Sequence, residues 1–358
     1  MDQNKLSLQG PLCPVPINDH QQIVIGHGAG GNLTHDLIRT VFQKHLGNAI
    51  LNLGNDAALL LMHSEVPQGM QLVVSTDAHI VSPLFFAGGD IGRLSICGTV
   101  NDVSMLGAIP KYLTATFILE EGFLISDLEK ILTSMAQACL EADVRIIAAD
   151  TKVTEKGKSD GIFISTTGFG WVSHQCQISG QNAKPNDVVI VSGPLGNHGI
   201  AVAEARGNLG FQSQIRSDVA PLNHMIAGLL ESVQEVHVLR DPTRGGLATT
   251  LVEIAKQSQV SIKLNEEDIL IDKDVRSACD MLGLDPLYMA NEGKVVVILP
   301  EEFAEKALES LQKHPYGKQA RMIGKVQSSS EGNLLLKTLL GTTRHLDRLA
   351  GEMLPRIC

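Results

Sequence analysis

The sequence predicts two domains of mixed α-helices and β-strands, which is an α+β (mixed α/β) fold class. The chain has 358 residues, of which 44% are hydrophobic, and this suffices for two cores without disulfides or structural metal ions. Apolar runs with strand character alternate with segments in which apolar residues recur at helical spacing. Both halves also follow a common order of strand, glycine-rich break and helix, which is a weak indication of two related layers.

The first predicted domain spans residues 23–175 and follows a proline-punctuated arm at residues 1–22. It opens with a strand at residues 23–25, a glycine-rich loop, and a helix for which Thr34 is a plausible N-cap. Further along we predict strands at residues 72–74, 112–119, 144–149 and 161–166, and helices at residues 92–106 and 126–142. The polar stretch at residues 173–186 connects this domain to the next.

The second predicted domain spans residues 176–338 and opens with a strand at residues 187–193. Helices are expected near residues 199–207 and 222–233, followed by a strand at residues 236–240 that breaks at Asp241 and Pro242. A helix at residues 247–257 and strands at residues 294–299 and 320–326 complete the domain. We expect residues 339–358 to form a mobile tail.

Composition excludes several classes of function. A net charge of −10 and an aromatic content of 4% argue against a nucleic-acid surface, which requires a basic face and stacking rings. No apolar run has the length of a membrane span, and the first residues lack the layout of a secretory signal, so we expect a cytoplasmic protein. The six cysteines are scattered without a C-x-x-C motif, which predicts mostly reduced structural thiols.

The last residue, Cys358, is a thiol that could serve as a carrier, because a terminal residue can move between two sites. Residues 341–356 lack the sustained periodicity of a packed helix, and an extended tail of this length could reach roughly 50 to 60 Å. Prenylation is excluded because its signal places the cysteine four residues from the end. A cysteine there by chance and an intermolecular disulfide remain alternatives.

Five aspartates follow apolar runs or stand beside glycine breaks. Mg²⁺ prefers oxygen ligands and is usually held by a few carboxylates together with substrate phosphates. A single aspartate at a strand end is more often a turn or helix cap. Five of them together favour a shared site for metal and nucleotide, and they are Asp56, Asp77, Asp102, Asp150 and Asp241.

The glycine loop Gly26-x-Gly28-x-x-Gly31 formally matches the dinucleotide fingerprint, but the match is weak. The acid expected at the end of the next strand instead lies in a glycine-flanked turn, and no Gly-Lys-Ser/Thr follows as in a P-loop. We therefore interpret the loop as an arm that folds over phosphates, with an ordinary turn as the alternative. His27, inside the loop, fits either interpretation.

Two further polar positions could carry chemistry. Glu292, in Asn291-Glu292-Gly293-Lys294 directly before an apolar run, could accept a proton or could be a surface turn residue. Lys152, which follows the Asp150 turn, could neutralise phosphate or assist proton transfer, although lysines near turns are usually solvated.

A set of motifs along nearly the whole chain resembles one family, the HypE hydrogenase maturation proteins. This family belongs to the superfamily of aminoimidazole ribonucleotide synthetase, selenophosphate synthetase and thiamine-phosphate kinase. The superfamily accounts for the aspartates, and the terminal Pro355-Arg356-Ile357-Cys358 selects HypE. The other motifs are His27-Gly28-Ala29-Gly30-Gly31, Ser75-Thr76-Asp77, Gly88-Gly89-Asp90, Asn101-Asp102, Asp150-Thr151-Lys152, Arg240-Asp241-Pro242-Thr243-Arg244-Gly245-Gly246 and Asn291-Glu292-Gly293-Lys294.

The resemblance implies a PurM-like architecture whose N-terminal sheets associate in a homodimer. It implies an ATP-dependent dehydratase that converts a thiocarboxamide on its own Cys358 to a thiocyanate. A carbamoyltransferase, HypF, would load the thiol. The cyanide would pass to iron on a HypC–HypD scaffold, for the Fe(CN)₂CO centre of NiFe-hydrogenases.

The resemblance also implies roles for individual residues. Cys358 would be the carrier, Glu292 the base for the N–H protons, and Lys152 its assistant. ATP would be bound by His27, Gly28, Gly30, Gly31, Asn101, Asp150, Thr151, Arg244, Gly245 and Gly246, and Mg²⁺ by Asp56, Asp77, Asp102 and Asp241. One departure weakens Asp56 as a ligand, because Asn55 stands where thiamine-phosphate kinases have a second acid.

Other functions compete with this one. A small-molecule ATP-dependent kinase or synthetase of the same fold would use a free substrate, and Cys358 would be incidental. A non-catalytic carrier would hold a thiol-bound group without ATP turnover, and a nicotinamide-dependent dehydrogenase ranks last. The sequence leaves open whether the tail serves its own subunit or its partner.

Overall fold

The computed structural model describes residues 31–37, 39, 55, 58–60, 69–207, 213–329 and 331–349. The first half of the chain contains a five-stranded and a two-stranded sheet with three helices among these residues. The elements are α1 (Asn32–Leu37), β1 (Ala58–Leu60), β2 (Met70–His79), β3 (Phe85–Phe86), β4 (Gly89–Asp90), α2 (Ile91–Ser104), β5 (Ile109–Glu120), α3 (Ile125–Ala142), β6 (Arg145–Thr154) and β7 (Ile162–Ser173).

The second half of the chain contains a seven-stranded sheet and five helices within the described ranges. Its elements are β8 (Asp187–Val191), α4 (Asn197–Ala205), α5 (Asn223–Ser232), β9 (Val238–Arg240), α6 (Gly246–Ser258), β10 (Val260–Asn265), α7 (Lys273–Leu282), β11 (Val296–Pro300), α8 (Ala304–Lys313), β12 (Arg321–Ser328), β13 (Leu334–Lys337) and β14 (Thr343–Leu346). Short 3-10 turns occur at Glu266–Asp268, Pro286–Tyr288, Glu301–Phe303 and Pro315–Gly317.

The first sheet has the strand order β1-β2-β7-β5-β6, in which only β5 and β6 run parallel. Asp90 is the N-cap of helix α2, and its side chain accepts hydrogen bonds from the backbone N–H groups of Gly92 and Arg93. The helix is buried along most of its length because it lies directly on β7. A Cβ at Gly168 would come within 2.8 Å of Thr99, so this close approach requires glycine.

The second sheet has the order β14-β13-β10-β12-β8-β11-β9 and is covered on both faces. Alternate residues of β8 belong to different cores: Val189 and Val191 pack towards α6, whereas Val188 and Ile190 pack towards α5 and α8. Burial on both faces explains why the sequence of this strand is continuously apolar. The sequence correctly predicted most of these elements, including both long helices of the first domain.

The tail differs from the prediction, which placed its start at residue 339. Strand β14 pairs antiparallel with β13, and Leu346 is buried in the core of the second domain. Arg344 forms an ion pair of 2.7 Å with Asp285, and the Tyr288 hydroxyl donates a hydrogen bond of 2.8 Å to the carbonyl of Asp347. The second domain therefore continues through β14, beyond the predicted boundary at residue 338.

The first sheet carries apolar side chains that the other described residues leave exposed. Strand β6 lies at the edge, and its residues are exposed on both faces up to Val153. The exposed apolar residues of β5 and β6 are Ile109, Tyr112, Ile118, Ile146, Ile147 and Val153. Among the helices that the structure describes, none combines the length and apolar character needed to cross a bilayer.

Candidate active site

Glu292 lies at the centre of a group of charged residues from both domains. It occupies the turn before β11 and is 4% exposed, and its Oε1 atom has no hydrogen-bond partner among the described residues. Burial raises the pKa of Glu292 well above its usual value, and Asp241, Asp77 and Asp218 raise it further, whereas Arg244 opposes them. Glu292 therefore keeps its proton more readily than an exposed glutamate. A raised pKa suits a carboxyl group that exchanges a proton during a reaction.

Asp77 and Asp102 approach this group from the first domain. Asp77 is in the last part of β2, its side chain is 33% exposed, and its Oδ1 accepts a hydrogen bond of 2.8 Å from the Ala78 N–H. Asp102 lies on α2, and its Oδ2 accepts a hydrogen bond of 2.8 Å from the hydroxyl of Ser75 on β2. The β2–α2 layer thus carries two of the predicted metal ligands.

His79 is a site residue that the sequence analysis missed. It is buried, and its Nε2 lies 3.3 Å from the hydroxyl of Thr166 and 3.8 Å from Oδ2 of Asp77. Burial lowers the pKa of His79, with Asp77 opposing that effect, so the imidazole is neutral beside the acid. The two-residue period of a strand places Asp77 and His79 on one face of β2, which was the available signal.

The loop from Asp241 to Gly246 brings the second group of predicted site residues together. Asp241 is buried after β9, and Gly245 and Gly246 begin α6 with φ values of +79° and +63°. A Cβ at Gly246 would come within 2.6 Å of the Leu287 carbonyl oxygen, so glycine is required there. The backbone N–H groups at the start of a helix can bind phosphate, as predicted for this glycine pair.

Asn101 holds the two domains together through its side chain. Its Nδ2 donates a hydrogen bond of 3.0 Å to the Ala220 carbonyl and one of 3.4 Å to the Glu292 carbonyl. Its Oδ1 accepts a hydrogen bond of 2.8 Å from the Leu222 N–H. The amide predicted to bind nucleotide is thus fully engaged by the backbone of the second domain, directly below the Glu292 turn.

Asp150, Thr151 and Lys152 lie apart from the other site residues of the same chain. All three residues are on β6. Lys152 Nζ is 2.7 Å from Oδ2 of Asp150, and the side chains of Lys152 and Asp150 are 68% and 61% exposed. Strands β7 and β5 separate β6 from β2, so three strand spacings, about 14 Å, lie between these residues and the strand of Asp77. Within one chain, Lys152 is not placed beside Glu292.

Comparisons with known proteins agree with this arrangement. The family models for AIR synthase related proteins match residues 54–172 (N-terminal domain) and 184–337 (C-terminal domain). The carbamoyl dehydratase HypE of Cupriavidus necator is 50% identical over 337 residues, which cover 94% of this chain and 95% of that protein. The chain belongs to the HypE family.

Two solved HypE structures support the same assignment. One is a HypE–HypF complex, with 49% identity, a TM-score of 0.82, and coverage of 87% of this chain and 99% of that chain. The other is HypE in complex with ATP, with 47% identity, a TM-score of 0.78, and coverage of 93% and 98%. These findings confirm the family resemblance and the PurM-like fold of two domains that the motifs predicted.

Some residues to which the HypE resemblance assigned roles lie outside the described residues: Cys358, His27, Gly28, Gly30 and Asp56. Gly31 is described and is buried at the start of α1. The N–H of Asn32 donates a hydrogen bond of 3.0 Å to the carbonyl of Leu349, and the Leu349 N–H contacts the Thr249 hydroxyl at 3.5 Å. The end of the glycine loop and the base of the HypE tail therefore meet on the first turns of α6.

Proposed function

We propose that this chain is an ATP-dependent dehydratase that acts on a carbamoyl group carried as a thiocarboxamide on Cys358 and leaves a thiocyanate. The observation that carries the proposal is the unpaired carboxyl oxygen of Glu292, buried among acids from both domains. Relatives named carbamoyl dehydratase and a relative in complex with ATP support the same reaction class.

The chemistry requires a group that removes protons from nitrogen. The amide oxygen would accept the γ-phosphoryl group of ATP, and the resulting phosphate ester would leave as inorganic phosphate while both N–H protons are lost. The products would be the thiocyanate, ADP, inorganic phosphate and one net proton. Glu292 would accept an N–H proton at Oε1, the atom without a partner, and its raised pKa makes its ionised form a stronger base.

We further propose that Mg²⁺ is held by Asp77, Asp102 and Asp241 together with phosphate oxygens, and by Asp56 from outside the described residues. Carboxylates are the donors that Mg²⁺ prefers, and their mutual repulsion at this site favours a cation. The described residues contain no group of three such donors able to hold an ion alone, so the proposal relies on the phosphates. The ion would offset charge on the transferring phosphoryl group.

The nucleotide would bind at the start of α6. Gly245 caps the start of this helix, the Gly246 N–H donates a hydrogen bond of 3.0 Å to the Thr243 carbonyl within the same loop, and the exposed Arg244 is close enough to influence Glu292. Gly31 is the last residue of the predicted glycine arm. The hydrogen bond from the Asn32 N–H to the Leu349 carbonyl holds this end of the arm near the same helix. The phosphates and the base of the tail would then share one region.

The tail could serve its own chain or that of a partner subunit. Leu349 is the last described residue, and residues 350–358 could extend about 30 Å at about 3.3 Å per residue. Loading would require a partner, and we propose HypF for this step because a relative forms a HypE–HypF complex. The cyanide acceptor would be the HypC–HypD scaffold.

We also propose a homodimer formed through the first sheet. Apolar residues of β5 and β6 form an exposed surface around the β6 edge of the sheet. A second copy packed on this surface would cover them and would place Asp150, Thr151 and Lys152 between subunits. Lys152 could then assist Glu292 only across that interface, which would explain its separation within one chain.

Mass spectrometry of the C-terminal peptide tests the proposed reaction. The protein would be loaded by the carbamoyltransferase and then incubated with and without Mg·ATP. We expect loss of one water from a Cys358-linked carbamoyl group only with ATP, no loading of Cys358→Ser, and loading without dehydration for Glu292→Gln. Loading without water loss in the unmodified protein would favour a passive carrier, and no loading at all would favour a kinase with a free substrate.

A further inference from the structure

A short segment at residues 215–222, here called the strap, runs between the two domains and touches both. On the side of the first domain, the Ser217 N–H donates a hydrogen bond of 2.7 Å to the Ala87 carbonyl. The Arg93 guanidinium donates one of 2.9 Å from Nε to the Val219 carbonyl. The strap is thereby fixed to the β3–β4 hairpin and to the start of α2.

On its other side, the strap holds the Glu292 turn at three points. Oδ1 of Asp218 accepts a hydrogen bond of 3.1 Å from the Glu292 N–H, and the Ala220 N–H donates one of 3.3 Å to the Glu292 carbonyl. Lys294 closes the turn, because its Nζ lies 2.8 Å from Oδ2 of Asp218. A Cβ at Gly293 would lie 1.9 Å from the Asp218 carbonyl oxygen, so strap and turn are in direct backbone contact.

The Asp218–Lys294 pair is buried, with side chains that are 7% and 9% exposed. Burial opposes ionisation of Asp218, but Lys294 outweighs it and lowers the pKa of Asp218, so the pair is charged. A buried ion pair contributes little net stability compared with apolar residues of the same shape. The ion pair instead fixes the orientation of the turn, because each carboxyl oxygen of Asp218 accepts a hydrogen bond from the Glu292–Lys294 turn.

We propose that Asp218 is a positioning residue that, with Lys294, fixes the Glu292 turn to the strap and so aims the free oxygen of Glu292 at the acids of the other domain. This inference rests on the proposed role of Glu292 as the base. Asp218 itself does not act as the base, because both of its carboxyl oxygens already accept hydrogen bonds. Lys294 is likewise engaged, by Asp218 and by the Gly293 carbonyl at 3.3 Å.

The test separates turnover from nucleotide binding. In Asp218→Ala, we expect the kcat of tail dehydration to fall about tenfold or more, since small displacements of a catalytic group cost rates of that order. The ATP dissociation constant and the loading of Cys358 should stay within about twofold, because the hydrogen bonds of the Asp218 carboxylate go to the Glu292–Lys294 turn. A general loss of folding would instead reduce all three readouts together.

Asp187→Asn provides a matched control. Asp187 is also a buried acid of the second domain, 2.7 Å from Nδ1 of His237, but it pairs with Pro300 at the far end of β11 from Glu292. We expect this variant to lose thermal stability and to keep its kcat. Equal kcat losses in Asp187→Asn and Asp218→Ala would contradict a positioning role for Asp218.

A second variant covers the case in which Asp218→Ala does not fold. The pair Asp218→Leu with Lys294→Met removes both buried charges and the acceptor of the Glu292 N–H with little change of shape, and its kcat should also fall while ATP binding persists. A kcat within twofold of the unmodified protein, in either folded variant, would overturn the proposal. Glu292→Gln is measured in parallel: normal dehydration there would instead refute the base assignment, which is a separate failure.

Discussion

Replacing Glu292 by glutamine should make the protein more stable, and increasingly so as the pH rises. Burial and the charges of Asp241, Asp77 and Asp218 raise the pKa of Glu292 in the folded state above 4.5, the ordinary value that the unfolded chain should show. A group with a raised folded-state pKa contributes stability that is complete below the unfolded-state pKa. That contribution is lost as the pH rises through the folded-state pKa. Glutamine keeps the shape and removes the titration.

The size of the effect follows from proton linkage. Between pH 4.5 and the folded-state pKa, the unfolded chain releases a proton that the folded chain retains. Each pH unit in that window lowers the free energy of unfolding by up to about 1.4 kcal/mol. Over one pH unit, the melting temperature of Glu292→Gln should therefore rise relative to the unmodified protein by about 3 to 5 °C, for a domain of this size.

Thermal unfolding without ATP and with a chelator, at pH 5.5, 6.0 and 6.5, measures this difference. Glu253→Gln is the control, because Glu253 is also buried but has the opposite behaviour. Burial opposes its ionisation, yet His35 at 2.8 Å and Arg240 at 3.0 Å outweigh this and lower its pKa. Glu253 is ionised in both states throughout this pH range, so its own titration adds no pH dependence, and its replacement should lower the melting temperature at all three pH values.

The sign of the change in melting temperature and its dependence on pH distinguish the two variants. A difference between Glu292→Gln and the unmodified protein that stays constant from pH 5.5 to 6.5 would show that Glu292 is ionised in the folded state. The reasoning from burial and neighbouring acids would then be wrong. A raised melting temperature in Glu253→Gln as well would indicate that the stabilisation does not come from the titration of Glu292.

Three further predictions concern other parts of the molecule. The variant Ile147→Asp, at an exposed position of β6, should have the monomer mass of 38.4 kDa by light scattering, whereas the unmodified protein should have twice that mass. Equal masses would refute the proposed dimer surface. Asn101→Ala should lower the free energy of unfolding in urea by at least about 2 kcal/mol, since it leaves buried backbone groups unpaired, and a smaller loss would contradict its role between the domains. Cys97 and Cys279 should resist alkylation at pH 8 until urea is added, because burial raises the pKa of both thiols, that of Cys279 to about 11. Rapid labelling of the folded protein would show instead that these buried sites open to solvent.

The sequence predicted the fold well because its signals are local. In helices α2 and α3 and strands β8 and β11, the apolar residues of the sequence occupy the buried positions of the element. The sequence pattern therefore located each element within a few residues. Strand β14 was missed because its residues are mostly exposed and only Leu346 is buried. Its place is set by pairing with β13, and such a pairing has no signature in a single short segment.

The sequence singled out several residues that the fold brings together, but it did not show how they are arranged. Asp77, Asp241 and Glu292 carry motifs and do come together, whereas Lys152 has an equally clear motif and lies on the far edge of the sheet. Asp218 has no motif, because its role depends on a strap whose contacts with both domains are distant in sequence. A pattern shows which residue types chemistry requires, but only the sheet order shows which of them share a site.

The charge balance around Glu292 suggests how proton transfer and nucleotide binding are linked. Asp77 and Asp241 come from different domains, and both raise the pKa of the same buried carboxyl, with Arg244 as the opposing charge. Glu292 would release its proton once positive charge entered between these acids, because the repulsion that favours the protonated form would then be offset. The base would thus become active only when the nucleotide site is filled. Proton transfer would therefore follow nucleotide binding, and electrostatics would set this order of events.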